Sequence, residues 1–540
     1  MRLQAVLVLV ASYTFTSAVA DSFQSDCSAI ASGFNISNAT VWFSEYVPAG
    51  TNLSLPENNV TCALSYQVVT ADICRVVLYV ATSTTSGISM EAWLPRNWTG
   101  RFLSTGNGGL AGCIGYADLA YTTGLGFSAV GANNGHNGTS GGAFYNQPEV
   151  IKDFAYRSIH TNVVVGKQIS KAFYQKTHTN SYYFGCSTGG RQGLKSAQDY
   201  PEDFDGIVAG SAASAFNNLT SWSGHFFTAT GPTNASTFIL ADLWPIIHKD
   251  ILKQCDTLDG AADGILEDPS LCLYRPEGLL CAPNTTNTTG CLTTPQISTV
   301  RKIFSPIYGP DRSLTYPRMQ PGSELLGAPQ ILYNGEPFSY TVDWFQYAVY
   351  NDTTWNPATL SPRDYAAASR IDPGNIQTWN GDLSPFRARG GKLLTYHGME
   401  DQIITSENSA RYYEHVIDTM AAAPSTLDSF YRYFRISGMG HCAGGEGAWS
   451  IGQTSLGPTT PLGPSSNVLM ALVQWVENGT APETIRGTKF VGDNPTAGVD
   501  FTRKHCRYPF RNYHVGPGDP KNETNWECIQ QGSVRDKWLL

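Results

Sequence analysis

Charge is what this sequence has least of. Asp, Glu, Lys and Arg together make up 15% of its 540 residues, and Lys and Arg never form a run. The electrostatic footprint of a nucleic-acid binder is therefore missing, and the net charge of −9 points the same way. Beyond residue 20 no stretch approaches the about 18 apolar residues in a row that a membrane span needs. Neither nucleic acid nor membrane is an expected partner. Internal repeats, low-complexity tracts and zinc-type Cys/His spacings are also missing, and nothing calls for an organic cofactor. Low charge with 12% aromatics suits a densely packed chain rather than a disordered one. The length exceeds one ordinary domain of about 100–200 residues, so one large fold with an insertion, or two to three domains, is expected.

The first twenty residues read as a secretory signal peptide. Arg2 precedes the apolar run Leu3 to Ala11, and Ala18-Val19-Ala20 offers a small-x-small site with cleavage before Asp21. Twelve cysteines, an even number, all follow it. Thirteen Asn-x-Ser/Thr sequons run from Asn35 to Asn522. Together these predict a secreted, extracellular and glycosylated protein.

Several apolar runs end in glycine-rich turns, at 101–109, 126–135, 181–190, 205–213 and 390–398. Buried strands of a parallel sheet have this pattern, with functional groups at their C-terminal ends. Helix-compatible stretches alternate with them at 156–174, 191–200, 406–420 and 466–479, which predicts an α/β fold. From about 215 to 380 the alternation stops, and Pro, Asn, Thr and Trp become frequent. The expected organisation is an α/β domain from 21–214 and 381–540, with a lid domain inserted at 215–380. A stapled tail after about 485 carries Cys506 and Cys528.

The stretch 185–190, Gly-Cys-Ser-Thr-Gly-Gly, contains G-x-S-x-G between a strand-like SYYF and a helix-compatible segment. That context places Ser187 on a sharp strand-to-helix turn as a nucleophile. A serine hydroxyl needs a base, and the base needs an orienting carboxylate, in the order Ser, acid, His for a catalytic domain of the α/β-hydrolase type, which is the fold expected here. His441, in the glycine-rich stretch 436–445, is the expected base. Glu400 and Asp401 follow strand 390–398, and Asp401 is preferred. His397 competes as base but precedes the acid, so hydrogen bonding within its turn is its expected role. The oxyanion needs the N–H of Thr188 and a second donor from loop 104–112, where Gly108 and Gly109 are the candidates. Cys186 precedes the nucleophile and Cys442 follows the base. If Ser187 and His441 meet, the two cysteines come within bridging distance.

Cys-Ser, a later Asp and then His-Cys, together with GNGG, HGxxD, GMGHC and the long insertion, resemble the tannase/feruloyl esterase family over nearly the whole chain. That resemblance implies Ser187, Asp401 and His441 as the triad and a Cys186–Cys442 disulfide. It further implies the pairs Cys27–Cys74, Cys62–Cys113, Cys255–Cys272, Cys281–Cys291 and Cys506–Cys528. It also implies phenolic ester substrates on plant cell-wall polysaccharide such as xylan: feruloyl esters first, galloyl (tannin) esters second. A non-catalytic hydrolase-fold binding module is the remaining alternative from another class. The lid aromatics Trp222, Phe226, Phe227, Trp244, Tyr340, Trp344, Phe345 and Tyr347 are candidates for an aromatic pocket or for core packing.

The stretch 255–269 crowds Asp256, Asp259, Asp263, Glu267 and Asp268 together, with Gly260 and Gly264 to let it curl. Hard oxygens at this density suit Ca²⁺, although the spacing is not that of an EF-hand. By resemblance, Asp256, Asp259 and Asp263 supply side chains and Ala261 and Ile265 supply carbonyls to a structural calcium ion.

Overall fold

The computed structural model describes residues 22–33, 36–453 and 461–530. The expected signal peptide and the Asn35 sequon lie outside the described residues.

Nine strands form one sheet: β1 Ala39–Val47, β2 Ile73–Ala81, β3 Gly87–Pro95, β4 Arg101–Thr105, β5 Ser128–Ala132, β6 Asn180–Cys186, β7 Gly206–Gly210, β8 Lys392–Gly398 and β9 Tyr431–Ile436. Their spatial order is β1-β2-β3-β5-β4-β6-β7-β8-β9. From β5 to β9 every pairing is parallel. The five glycine-ended runs of the sequence are the strands β4 to β8, and their apolar residues are buried on both faces, as a helix-covered parallel sheet requires.

The sheet is not parallel throughout. β1, β2, β3 and β5 pair antiparallel. The reason is connection length. β2 and β3 are joined by a turn in which Thr82 N–H donates to Ser86 O (3.0 Å), far too short for the crossover a parallel pair needs.

The helices that flank the site follow the 3.6-residue pattern of their sequences: α1 Ser158–Tyr174, α2 Thr188–Asp199, α3 Glu407–Thr419 and α4 Val468–Asn478. α2 begins directly after Ser187 and is buried along nearly its whole length. Gly190 lets it do so, because a Cβ there would collide with Gly210 O of the neighbouring strand β7.

The chain leaves the sheet at the end of β7 and re-enters at β8, the adjacent strand, so residues 211–391 form an excursion between two neighbours. This excursion builds an apolar cluster around Trp222, Trp244, Trp344 and Phe345, and that cluster continues into Leu110, Phe144 and Phe154 of the sheet's own loops. Five of the eight candidate pocket aromatics (Trp222, Phe226, Trp244, Trp344 and Phe345) are thus core, each no more than 1% exposed. Helical spacing and strong apolarity serve a core as readily as a pocket, so sequence alone could not separate them. After α4 the tail forms two hairpins, Thr484–Phe490 with Val499–Cys506 and Phe510–His514 with Trp526–Gln530. The tail docks on the sheet edge, where Tyr508 N–H donates to Tyr433 O (2.7 Å).

Candidate active site

The loops after β4, β6, β8 and β9 all emerge at the C-terminal edge of the parallel strands. They carry the 106–113 segment, Ser187, Asp401 and His441 respectively.

Ser187 sits at φ 65°, ψ −124°, a conformation that L-residues rarely adopt. The surroundings hold it there. Its N–H donates to Gly210 O (3.0 Å), and its carbonyl accepts from Arg191 N (3.0 Å) and Ala213 N (3.2 Å). Arg191, fully buried, donates through Nη1 to Ala155 O (2.6 Å) and through Nη2 to Phe154 O (3.1 Å), and so fastens the first turn of α2.

Asp401 and His441 meet directly. His441 Nδ1 lies 2.7 Å from Asp401 Oδ2 and donates to it, which leaves Nε2 as the free face of the ring. The other carboxylate oxygen accepts from Ile403 N (2.9 Å) and Ile404 N (2.8 Å). Burial alone would push the Asp401 carboxyl up. The charge of His441 and the N–H donors of His397 and His441 outweigh burial and hold it well below its ordinary value. Asp401 therefore stays ionised.

Glu400, one residue earlier, has the opposite environment. It is buried, and burial, reinforced by the charges of Glu324 and Glu446 and only partly opposed by Lys489, pushes it up to about 8. A carboxyl kept protonated cannot stabilise an imidazolium, so of the two sequence candidates only Asp401 has the charge the role needs.

His397 is completely buried and touches the same carboxylate. Its Nε2 faces Asp401 Oδ2 (3.1 Å) and Ile404 O (2.9 Å). Both are acceptors, so Nε2 carries the hydrogen, and Nδ1 accepts from Ser409 Oγ (2.7 Å). Its place is within the turn, as its position before the acid suggests, and its effect is to brace Asp401 from behind.

Ser187 is joined to this pair through its neighbour. Cys186 and Cys442 form a disulfide with Cα atoms 6.1 Å apart across 256 residues of chain. The other five pairs implied by the family resemblance are also bonded.

A cavity of about 40 Å³ opens beside Ser187. Thr188 and Gly109 line it, whereas Gly108 does not. Gly109 takes φ +54°, and its carbonyl accepts from Thr188 Oγ1 (2.7 Å), which fixes the two candidate oxyanion segments to each other. Phe216, Leu219, Phe338, Tyr340, Ile403 and Ile404 form its apolar walls, with the hydroxyls of Thr220 and Ser223 among them. Of the eight lid aromatics only Tyr340 is in this lining.

Two supporting residues, Gln402 and Gln192, carried no signal in the sequence, and a third, Asn107, stood there only as part of the GNGG motif. Gln402 Oε1 accepts from His441 N (3.0 Å). Gln192 Oε1 accepts from Asn107 N (3.0 Å), while Asn107 Nδ2 donates to Cys113 O and Ala132 O (2.8 Å each). These bonds cross 39 and 85 residues of chain, so only the fold brings them together.

The acidic loop curls at Gly260 (φ +92°) and Gly264 (φ +82°). Burial and the charges of Asp263 and Asp256 push Asp259 up to about 7, the mark of carboxylates that lack enough counter-charge. Arg503 of the tail meets part of that need, 3.2 Å from Asp263 and in contact with Glu267. The donor types fit a hard cation. Yet among the described residues no three acidic, His or Cys side chains converge in a metal-holding group. Asp256 and Asp259 instead accept from the loop's own N–H groups at Gly264, Ala261 and Glu267.

Comparison with known proteins gives four findings. Residues 74–328 and 328–529 match the family described as Tannase and feruloyl esterase. A probable feruloyl esterase B-2 of Aspergillus oryzae is 56% identical over 527 residues, covering 98% of this chain and 99% of that protein. The crystal structure of feruloyl esterase B from Aspergillus oryzae superposes with a TM-score of 0.91 at 53% identity, covering 94% of this chain and all of the other. The tannin acyl hydrolase of Aspergillus niger, at 20% identity, TM-score 0.74 and coverage of 95% and 96%, shares the fold.

Proposed function

The chain belongs to the tannase and feruloyl esterase family and is a carboxylic ester hydrolase, and from that premise we propose that it is a secreted serine esterase acting on feruloyl esters of plant cell-wall polysaccharide. The observation that carries the catalytic assignment is the 2.7 Å bond from His441 Nδ1 to an ionised Asp401, tied by Cys186–Cys442 to the strained turn of Ser187.

In this reading His441 Nε2 takes the proton of Ser187 Oγ as it attacks the ester carbonyl. Asp401 holds the ring in the productive tautomer and stabilises the imidazolium. The N–H groups of Thr188 and Gly109 receive the oxyanion. His441 then returns the proton to the leaving alcohol and activates water for deacylation. A protonated His441 cannot act as base, so activity falls at acid pH. The apolar walls of the cavity suit an aromatic acyl group, and the signal segment with its sequons supports secretion and glycosylation.

Calcium is proposed for the 255–269 loop, with Asp256, Asp259, Asp263 and the carbonyls of Ala261 and Ile265 as ligands. The ion would supply counter-charge to a loop that needs it. EDTA is expected to lower the melting midpoint and added Ca²⁺ to restore it. An unchanged midpoint removes the ion from the account.

The test of the activity uses methyl ferulate, methyl caffeate and methyl gallate with the wild type and Ser187→Ala. Ferulate hydrolysis lost in the variant is expected. Turnover of gallate alone would move the protein to the tannin side of the family, and undiminished hydrolysis by Ser187→Ala would refute the mechanism.

A further inference from the structure

Behind the loop that carries Asp401 lies a second small cavity, of about 30 Å³. Arg435, Arg511, Gln320, Tyr433, Ser270 and Met399 contribute to its lining. They come from separate parts of the chain: strand β9, the tail, the insertion, the end of the acidic loop and the start of the Asp401 loop. The far end of that last loop, Ser406, also lines it.

The cavity is rich in cations and in polar atoms without partners. Arg435 Nη1 and Arg511 Nη1 both lie 2.8 Å from the same oxygen, Asp268 Oδ2, and their side chains are 10% and 6% exposed. A third guanidinium, Arg318, borders the site, donating to Ser270 O (3.1 Å) and standing 4.0 Å from Glu407. Two guanidiniums, Arg435 and Arg511, and two carboxylates, Asp268 and Glu407, line the cavity, and Arg318 and Arg411 add cations beside Glu407 at its border. Within this set the Nε of Arg435, the Nε and Nη1 of Arg511, the hydroxyl of Tyr433 and the Oε1 of Gln320 make no hydrogen bond among the described residues, Arg511 Nη1 having only its ion-pair contact with Asp268. Buried polar atoms left this way are costly, and several converging on one cavity indicate a bound species.

The chemistry narrows what that species is. Three of the five atoms are guanidinium nitrogens, and the bordering Arg318 and Arg411 tip an otherwise balanced lining towards positive charge. A small acceptor that carries negative charge answers both. The space allows about two water-sized occupants, at about 10–15 Å³ each, which suits a small ion better than phosphate or an organic acid. The one orphan acceptor, Gln320 Oε1, calls for a donor beside the ion, and a water supplies it. Burial, together with the facing charge of Arg435, pushes Arg511 below its ordinary value despite Asp268, as expected for a cation short of counter-charge.

We propose that this cavity binds one small monovalent anion of the halide class between Arg435 and Arg511, with a companion water on Gln320. The ion joins the tail, β9 and the acidic loop to both ends of the segment that bears Asp401.

The experiment uses the full chain, dialysed into sodium methanesulfonate and compared with sodium bromide at equal ionic strength and pH. Crystals in bromide are measured at the bromine absorption edge. The expected result is an anomalous peak in contact with Arg435 and Arg511, and a melting midpoint about 2–3 °C higher in bromide at saturating concentration. Arg511→Gln is expected to lose both. Water alone in the cavity of bromide crystals of the unmodified protein overturns the proposal, whether or not the variant folds. Equal midpoints in the two salts do so as well.

Discussion

Asp401 and Glu400 are neighbours of the same charge type with opposite fates. Asp401 accepts from two backbone N–H groups and two histidines, whereas Glu400 is buried near other carboxylates. Asp401→Asn is expected to lower kcat by about 10⁴-fold with little change in KM, because the ring loses its orienting anion. Glu400→Gln is expected to leave kcat/KM unchanged but to alter the pH dependence of stability. A carboxyl raised from 4.5 to about 8 favours the folded state at low pH, and that contribution is lost as pH rises from about 4.5 through 8. Melting midpoints between pH 5 and 8 should therefore fall less steeply in Glu400→Gln than in the wild type. Equal slopes would contradict the burial argument. The order Ser, acid, His was legible in the sequence because turns and strand ends are local features. The choice between Glu400 and Asp401 rested on position there, and its physical reason is burial, a property only the fold creates. Gln402 and Gln192 were invisible for the same reason.

At the scale of elements, β4 to β8 were legible because strands buried on both faces are continuous apolar runs that end in glycine. The antiparallel half was not, since an apolar run does not announce the direction of its partner. The insertion shows the same limit. Trp344 is buried in its core, with its indole N–H donating to Asn217 Oδ1 (3.0 Å), while Tyr340 lines the cavity beside Ser187. The sequence offers both as aromatics a few residues apart. Trp344→Ala is expected to cost about 3–5 kcal/mol of stability. Tyr340→Ala is expected to act mainly on kcat/KM for aromatic acyl esters, with a small change in melting midpoint. A reversal of the two effects would move the acyl site elsewhere in the insertion.

At the scale of the whole molecule, the Cys186–Cys442 bond links the nucleophile turn to the histidine loop over 256 residues. Spacing alone cannot assign disulfide partners; the family pattern and the position of each cysteine beside a triad residue did so. With Cys186→Ala/Cys442→Ala, kcat should drop at least about tenfold at temperatures where the variant remains folded, because the reacting groups lose a shared constraint. Wild-type kcat in a folded variant would reduce the bond to a staple.

The central claim is that Ser187 carries the acyl group during ester hydrolysis. Rapid acid quenching of the protein with methyl ferulate, followed by peptide mass spectrometry, tests it most directly. The account predicts one feruloyl group on the peptide containing Ser187, and none in Ser187→Ala. A feruloyl group on any other residue, or steady turnover by Ser187→Ala, would contradict it.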